Sequence, residues 1–237
     1  MFTSMKLLNF ENKKNLIGVI LLEINKNHII IQFYNIDFFN KPCYILLNQS
    51  GNCEGIIMKF QDVIETRKSI RTYCDKEVEE SKIEYIFECA RLAPSWVNRQ
   101  CWRFIVVKDK EKIKALSKTS IVNRWIRTVP IIIVACGDPT SSGVNNNIDY
   151  FVVDVSIAME HIILAATDVD LGTCWIAGFD EKKVKELLEI PNRIRVVALT
   201  PLGYPAQKNG LSDKTRKLIA SSKKRKELDE IIRYERW

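Results

Sequence analysis

The stretch Pro94-Ser95-Trp96-Val97-Asn98-Arg99-Gln100-Cys101-Trp102-Arg103-Phe104-Ile105-Val106-Val107 constrains this chain more than any other. Pro94 has no backbone N–H to give to a helical ladder, so the apolar helix before it must end there. Ser95, Asn98, Arg99 and Gln100 then set side-chain donors and acceptors within one turn. The β-rich run from Phe104 to Val107 ties that turn to a sheet. A polar loop held in this way between a helix and a strand can present hydrogen-bonding groups to the edge of a flat ligand.

A basic cluster precedes it, Thr66-Arg67-Lys68-Ser69-Ile70-Arg71-Thr72-Tyr73. The planar fork of an arginine and the hydroxyl of a serine both make charge-assisted bonds to a phosphate. Taken alone, such a run also fits a solvated turn.

At 237 residues, with no Gly/Ser/Pro-rich linker, the chain is long enough to bury one substantial core. Its seven cysteines are odd in number and widely spaced, without a Cys-x-x-Cys pair, which argues against a disulfide framework, a zinc site or an iron–sulfur cage. A reducing compartment, the cytoplasm, is expected, with no metal. Only Cys43 and Cys53 lie in the amino-terminal part, too few for an appended cluster-binding module. The formal net charge is +7, but residues 214–237 hold nine Lys/Arg against four Asp/Glu, so most of the excess is terminal. No aromatic-interleaved basic stripe accompanies it, and a solvated terminal helix is expected rather than a nucleic-acid partner.

Residues 1–57 differ in kind from the remainder. They contain nine Asn and ten Ile but no Ala, Arg or Trp, whereas residues 58–237 contain eleven Ala and thirteen Arg. Two readings stay open. Residues 1–57 are an amino-terminal extension, with strand character at residues 28–33, or they are translated upstream sequence of an AT-rich genome ahead of a true start at Met58. The apolar run at residues 16–22 is too short to span a membrane, and no membrane association is expected.

In the main domain, residues 59–65 read as a short helix. Ser81-Lys82-Ile83-Glu84 reads as a capping box opening a helix with Ile83, Ile86, Phe87 and Ala90 on one face. Strands are expected at residues 103–107, 129–136, 173–177 and 195–202, and helices at 110–116, 148–169 and 181–188. The helix at 148–169 is apolar almost all round, broken by Asp149, Asp154 and Glu160, and reads as a central core helix. His28 and His161 are the only histidines, so a Ser-His-Asp or Cys-His catalytic arrangement has little to build on. Neither a Gly-x-Gly-x-x-Gly nor a Gly-x-x-x-x-Gly-Lys motif occurs, which argues against a permanently held nicotinamide or nucleoside triphosphate.

Two further blocks extend the pattern: Leu171-Gly172-Thr173-Cys174-Trp175-Ile176-Ala177-Gly178-Phe179-Asp180, and Leu202-Gly203-Tyr204-Pro205 followed by Lys214-Thr215-Arg216-Lys217. In this order, the basic cluster, the Pro94 loop and these two blocks resemble the nitroreductase family of FMN-dependent oxidoreductases. The resemblance covers residues 58–220. It implies an α+β nitroreductase-like fold, a central, mainly antiparallel sheet flanked by helices, assembled as a homodimer with the helix at 148–169 in the interface. It implies an enzyme that passes a hydride from NADH or NADPH, as a visiting co-substrate, through FMN to a small electron-poor acceptor such as a nitroaromatic or quinone. The alternative is another flavin task on the same fold: dehalogenation, ene reduction or flavin breakdown.

The same resemblance assigns the site. Arg67 and Ser69, with Lys214 and Arg216, take the phosphate and ribityl end, and Lys68 and Arg71 approach the pyrimidine edge of the ring. Asn98 bonds the uracil-like edge in a loop shaped by Pro94, Ser95 and Gln100, and the Gly178 main chain meets the N5 and O4 side. No side chain is assigned a catalytic role, because the flavin carries the chemistry. Asp180 reads as a helix N-cap, and Cys101 and Cys174 read as buried structural thiols. Cys101 stands where many members have proline, and Ala177 where some have glutamate.

Overall fold

The computed structural model describes residues 60–206 and 225–237 in full and, before them, the backbone of five strands. These strands are β1 (Glu11–Asn12), β2 (Asn15–Asn25), β3 (His28–Asn35), β4 (Pro42–Leu47) and β5 (Cys53–Ile57). They pair in chain order as an antiparallel meander. The strand character expected at residues 28–33 lies within β3. Pro42, which has no N–H for a ladder, is the first residue of its strand.

The main domain contains α1 (Phe60–Thr66), α2 (Glu80–Arg91), β6 (Trp102–Val107), α3 (Lys110–Leu116), β7 (Ile131–Gly137), β8 (Val144–Asn145), β9 (Ile148–Asp149), α4 (Tyr150–Asp168), β10 (Gly172–Thr173), α5 (Glu181–Leu188) and β11 (Arg195–Gly203). Four strands form one sheet in the order β10-β11-β7-β6, every pair antiparallel. This is the α+β arrangement expected, with helices on both sides of the sheet.

The two-fold alternation of β7 divides the core. Ile131, Ile133 and Ala135 point into one apolar cluster with Ile83 and Ile86 of α2 and Val155, Met159 and Ile162 of α4. Ile132, Val134 and Cys136 point into a second cluster with Ile113 and Leu116 of α3 and Val184 of α5. Coverage of both faces explains why this strand is apolar at every position and all seven of its residues are buried. In β11 a bulge between Val196 and Ala198 resets the alternation, sending Val196 and Leu199 to the second cluster and Ala198 and Leu202 to the first.

Helix starts follow local chemistry at two places. The Asp109 side chain accepts the Lys112 N–H at 2.7 Å to open α3, and Asp180 accepts the Lys183 N–H at 3.2 Å to open α5, as expected for an N-cap. The capping box expected at Ser81 does not form. Glu79 is the N-cap of α2 and gives it no side-chain bond, while its carboxylate accepts the Tyr204 hydroxyl at 2.6 Å, so Ser81 falls inside the first turn.

The strand expected at residues 173–177 is also interrupted. The Cys174 N–H donates to Thr200 Oγ1 at 3.1 Å instead of to a carbonyl of β11, and pairing resumes only between Ile176 and Leu199, with two bonds of 2.9 Å.

The terminal unit is separate in its contacts and is described over residues 225–237. It holds a single-turn helix, α6 (Leu228–Ile231), with a capping box between Glu227 and Glu230 and every described residue exposed.

Candidate functional site

The basic segment lies along β10. The chain leaves α1 with the Thr66 hydroxyl donating to the Asp62 carbonyl at 2.6 Å, and Ser69 then bridges Thr173 in parallel, with Ile70 N–H to Thr173 O at 2.8 Å. A Cβ on Gly172 would come within 2.7 Å of the Ile70 side chain, so only glycine lets the two segments lie this close. Farther on, the Cys74 N–H donates to Tyr204 O at 2.8 Å and Tyr73 bridges Pro205, so the segment is held at both ends.

Within it Lys68 and Ser69 are exposed, and Arg67 and Arg71 are half-buried. Ser69 and Arg71 neighbour the buried Cys174 thiol. Burial pushes that thiol up, and these two neighbours pull it part of the way back. Burial raises the Tyr73 hydroxyl still further, helped by Cys174 and opposed by Arg71. Arg67 stands near Glu160 of α4, whose carboxyl is raised by burial against the pull of that guanidinium and of His161.

The Pro94 loop is built against α4. Val97 (φ 48, ψ 34), Asn98 (φ 54) and Gln100 (φ 51) all adopt left-handed backbone. Asparagine tolerates that region; a β-branched valine does not, and strain there costs on the order of 1–3 kcal/mol. Ser95 Oγ accepts the Gln100 N–H at 2.9 Å, and the Gln100 amide donates to Asn98 Oδ1 at 3.2 Å, closing the turn on itself. Pro94, Asn98 and Gln100 are exposed and Ser95 is half-buried.

Trp96 is not free to reach a ligand. Its ring packs on Tyr150 with centroids 4.6 Å apart and covers Gly143 so tightly that any Cβ there would overlap it. The segment on which the loop rests carries Asp154, which the sequence marks only as a polar interruption of an apolar helix. Its Oδ1 accepts the Trp96 N–H at 2.8 Å, and its Oδ2 accepts the Ser142 hydroxyl at 2.7 Å, with the Cys101 thiol 3.5 Å away.

Gly178 is exposed beyond the break in β10, and its carbonyl accepts the Asn123 amide at 3.1 Å. A Cβ added there would meet only that amide, at an ordinary 3.7 Å, so the chain's own atoms leave one side of this main chain uncrowded. Asn123 is a contact the sequence did not signal, since it lies far from every recognisable motif. Lys214 and Arg216 lie outside the described residues.

The structure thus brings Ser69 and Arg71 against the segment that leads to Gly178. Arg67 and the Pro94 loop each reach α4, at Glu160 and at Asp154 respectively. Six residues separate these two acids, about 9 Å along a helix axis. His161 is occupied structurally, its Nδ1 3.0 Å from the Cys89 carbonyl. Cationic side chains beside β10, exposed amides in the strained loop and an uncrowded main chain at Gly178 are donors of the kind that a phosphate-bearing planar group would need. They fit FMN.

A sequence model of the Nitroreductase family matches residues 64–125 and 117–204, together more than half of the chain. Among relatives, a candidate NADH dehydrogenase/NAD(P)H nitroreductase of Archaeoglobus fulgidus is 39% identical over 147 residues, 60% of this chain and 83% of that protein. An FMN reductase [NAD(P)H] of Bacillus subtilis is 28% identical over 60% of this chain and 64% of its own length, and an iodotyrosine deiodinase of Thermotoga neapolitana is 24% identical over 61% and 87%. A solved nitroreductase family protein from Clostridium novyi NT superimposes with a TM-score of 0.62 at 40% identity, covering 63% of this chain and 87% of that one.

Proposed function

This chain belongs to the nitroreductase family, and from that premise we propose that it is an FMN-dependent oxidoreductase passing a hydride from NADH or NADPH to an electron-poor acceptor such as a nitroaromatic or quinone. The observation that carries the reading is the 2.8 Å bond from Ile70 N–H to Thr173 O, which seats the cationic segment beside the one that reaches Gly178. Bound flavin supplies the hydride-accepting and hydride-donating chemistry, and the protein holds and tunes it.

In this reading Arg67 and Ser69, with Lys214 and Arg216, bind the phosphate and ribityl end. Lys68 and Arg71 face the pyrimidine edge, where a cation stabilises the negative charge that reduction leaves. Asn98 both donates to and accepts from that edge, and Pro94, Ser95 and Gln100 fix its loop. The main chain at Gly178 lies against the ring edge opposite. Ala177 offers no polar group there, so donor selectivity rests on other residues.

We further assign a homodimer. Val144 of β8, Ile148 of β9 and Val152 and Val153 in the first turn of α4 are 66%, 50%, 41% and 37% exposed, apolar surface that a second copy would cover. Cytoplasmic work fits the free thiols of Cys74, Cys89, Cys101, Cys136 and Cys174.

Purified protein is expected to be yellow, to bleach on addition of NADH or NADPH under argon, and to regain its colour when a nitroaromatic is added. Colourless protein that does not take up FMN would overturn the proposal. The deiodinase relative favours a second reading, reductive dehalogenation on the same fold. Flavin that dithionite bleaches but neither nicotinamide does, with release of halide from a halophenol, would select it.

A further inference from the structure

Asp154 is the one carboxyl among the buried polar residues described, at 2% exposure, and it lies in an otherwise apolar core helix. A carboxyl taken out of water is costly unless hydrogen bonds replace the lost hydration. Three donors do so here: the Trp96 N–H, the Ser142 hydroxyl and the more distant Cys101 thiol. Burial and the adjacent Asp154 push the Cys101 thiol up to about 12, so it keeps the proton it presents.

Two of those donors flank the 97–100 run, which holds the three left-handed residues Val97, Asn98 and Gln100. Trp96 immediately precedes Val97, and Cys101 immediately follows Gln100. The run's other bonds are to near neighbours in the chain: Gln100 N–H to Ser95 Oγ, Gln100 amide to Asn98 Oδ1, Asn98 N–H to Ser95 O, Arg99 N–H to Trp96 O, and Arg103 Nη1 to Gln100 O. Strained backbone persists only where its surroundings over-determine it. Among the described polar contacts, Asp154 is the one side chain that bonds both ends of this run, while the Asp138 N–H also holds the far end through the Cys101 carbonyl at 3.0 Å.

We propose that Asp154 is a positioning residue for the flavin ring, holding both ends of the 97–100 run so that the Asn98 and Gln100 amides are oriented before the ring arrives. The inference rests on the flavin reading above and goes beyond it, because Asp154 acts through the loop and touches no cofactor itself. Preorganisation removes the ordering cost from binding, so its loss weakens the ring contacts and leaves the phosphate contacts intact.

Two ligands separate these contacts: FMN, and riboflavin, which lacks the phosphate. Asp154→Asn keeps the side-chain volume and an acceptor for the Trp96 N–H but turns an NH2 toward the Ser142 and Cys101 donors. It is expected to weaken FMN and riboflavin by the same factor, about tenfold, and to shift the visible absorption of the bound flavin. In the flavin-free variant, amide hydrogen exchange of residues 96–101 is expected to accelerate while β7 and the rest of α4 stay protected. Ser142→Ala, which removes one donor without crowding, should reproduce these effects in smaller degree. Arg67→Ala should instead lower FMN affinity alone.

Unchanged riboflavin affinity in Asp154→Asn, a loss confined to FMN, or exchange that accelerates across the whole domain would each overturn the assignment. A wild-type protein that binds neither flavin would overturn the proposed function itself. That result is distinct from a flavin-binding wild type whose variant behaves identically.

Discussion

Arg67 tests the phosphate end most directly. Replacing it with alanine removes a charge-assisted contact, and a fluorescence titration should find FMN binding weaker by about 1.5–3 kcal/mol, with unchanged affinity refuting the role. The cysteines make a second prediction. Burial lifts Cys136 from 9.0 to about 11 and Cys101 to about 12, so near pH 8 both remain thiols in the folded protein. Among the described cysteines, iodoacetamide mapping should therefore label exposed Cys74 first and Cys101, Cys136 and Cys174 last. Linkage fixes the sign for stability as well: a raised folded value means the unfolded chain loses these protons first. Stability should therefore be intact below about pH 9 and fall as pH rises from there toward 11–12, measured as the urea midpoint. At this scale the sequence showed residue types more readily than their company. Asn98, Gln100 and Gly178 are legible because a polar loop and a glycine stand out locally. Asp154 is not, since an acid in an apolar helix acquires its meaning only from Trp96 and Ser142, which distant segments bring to it.

Ile133 lies at the centre of β7 with 0% exposure, packed in the cluster that joins α2 and α4 to the sheet. Ile133→Ala should cost about 2–5 kcal/mol, read from the shift in a denaturation midpoint, and a cost below 1 kcal/mol would mean that the site collapses to fill the cavity. Elements such as β7 were readable as runs, and α3 and α5 fall at the residues expected, because an aspartate cap or a period of 3.6 is a local signal. The departures lie where tertiary contacts intervene. The capping box at Ser81 does not form because α2 begins earlier, at Glu80, with the Glu79 carboxylate occupied by the Tyr204 hydroxyl. The strand through Cys174 lost to Thr200, whose hydroxyl takes an N–H that a β-ladder would have used. In each case a tertiary partner outbid a sound short-range preference. No window of sequence contains that partner.

For the whole molecule, the apolar face at the start of α4 predicts a dimer. Val152→Asp together with Val153→Asp should shift the protein to monomers in sedimentation equilibrium, because two charges would be buried without partners; an unchanged dimer mass would place the interface elsewhere. Interleaved runs of strand and helix predict a layered α+β or α/β fold, the resemblance to the family selects the antiparallel sheet, and neither yields the strand order β10-β11-β7-β6. That order has a consequence for biosynthesis. β11 is the last strand of the main sheet to leave the ribosome, yet it is an interior one, paired to β7 on one side and β10 on the other. Until residue 203 has been translated, the isoleucine-rich β7 has one unpaired edge, and β10, beside Ser69, has no strand to pair with. Between the translation of β7 and that of β11 this edge stays open to other chains, and a cofactor whose site used Ser69 and Gly178 would be taken up only after β11 had been added.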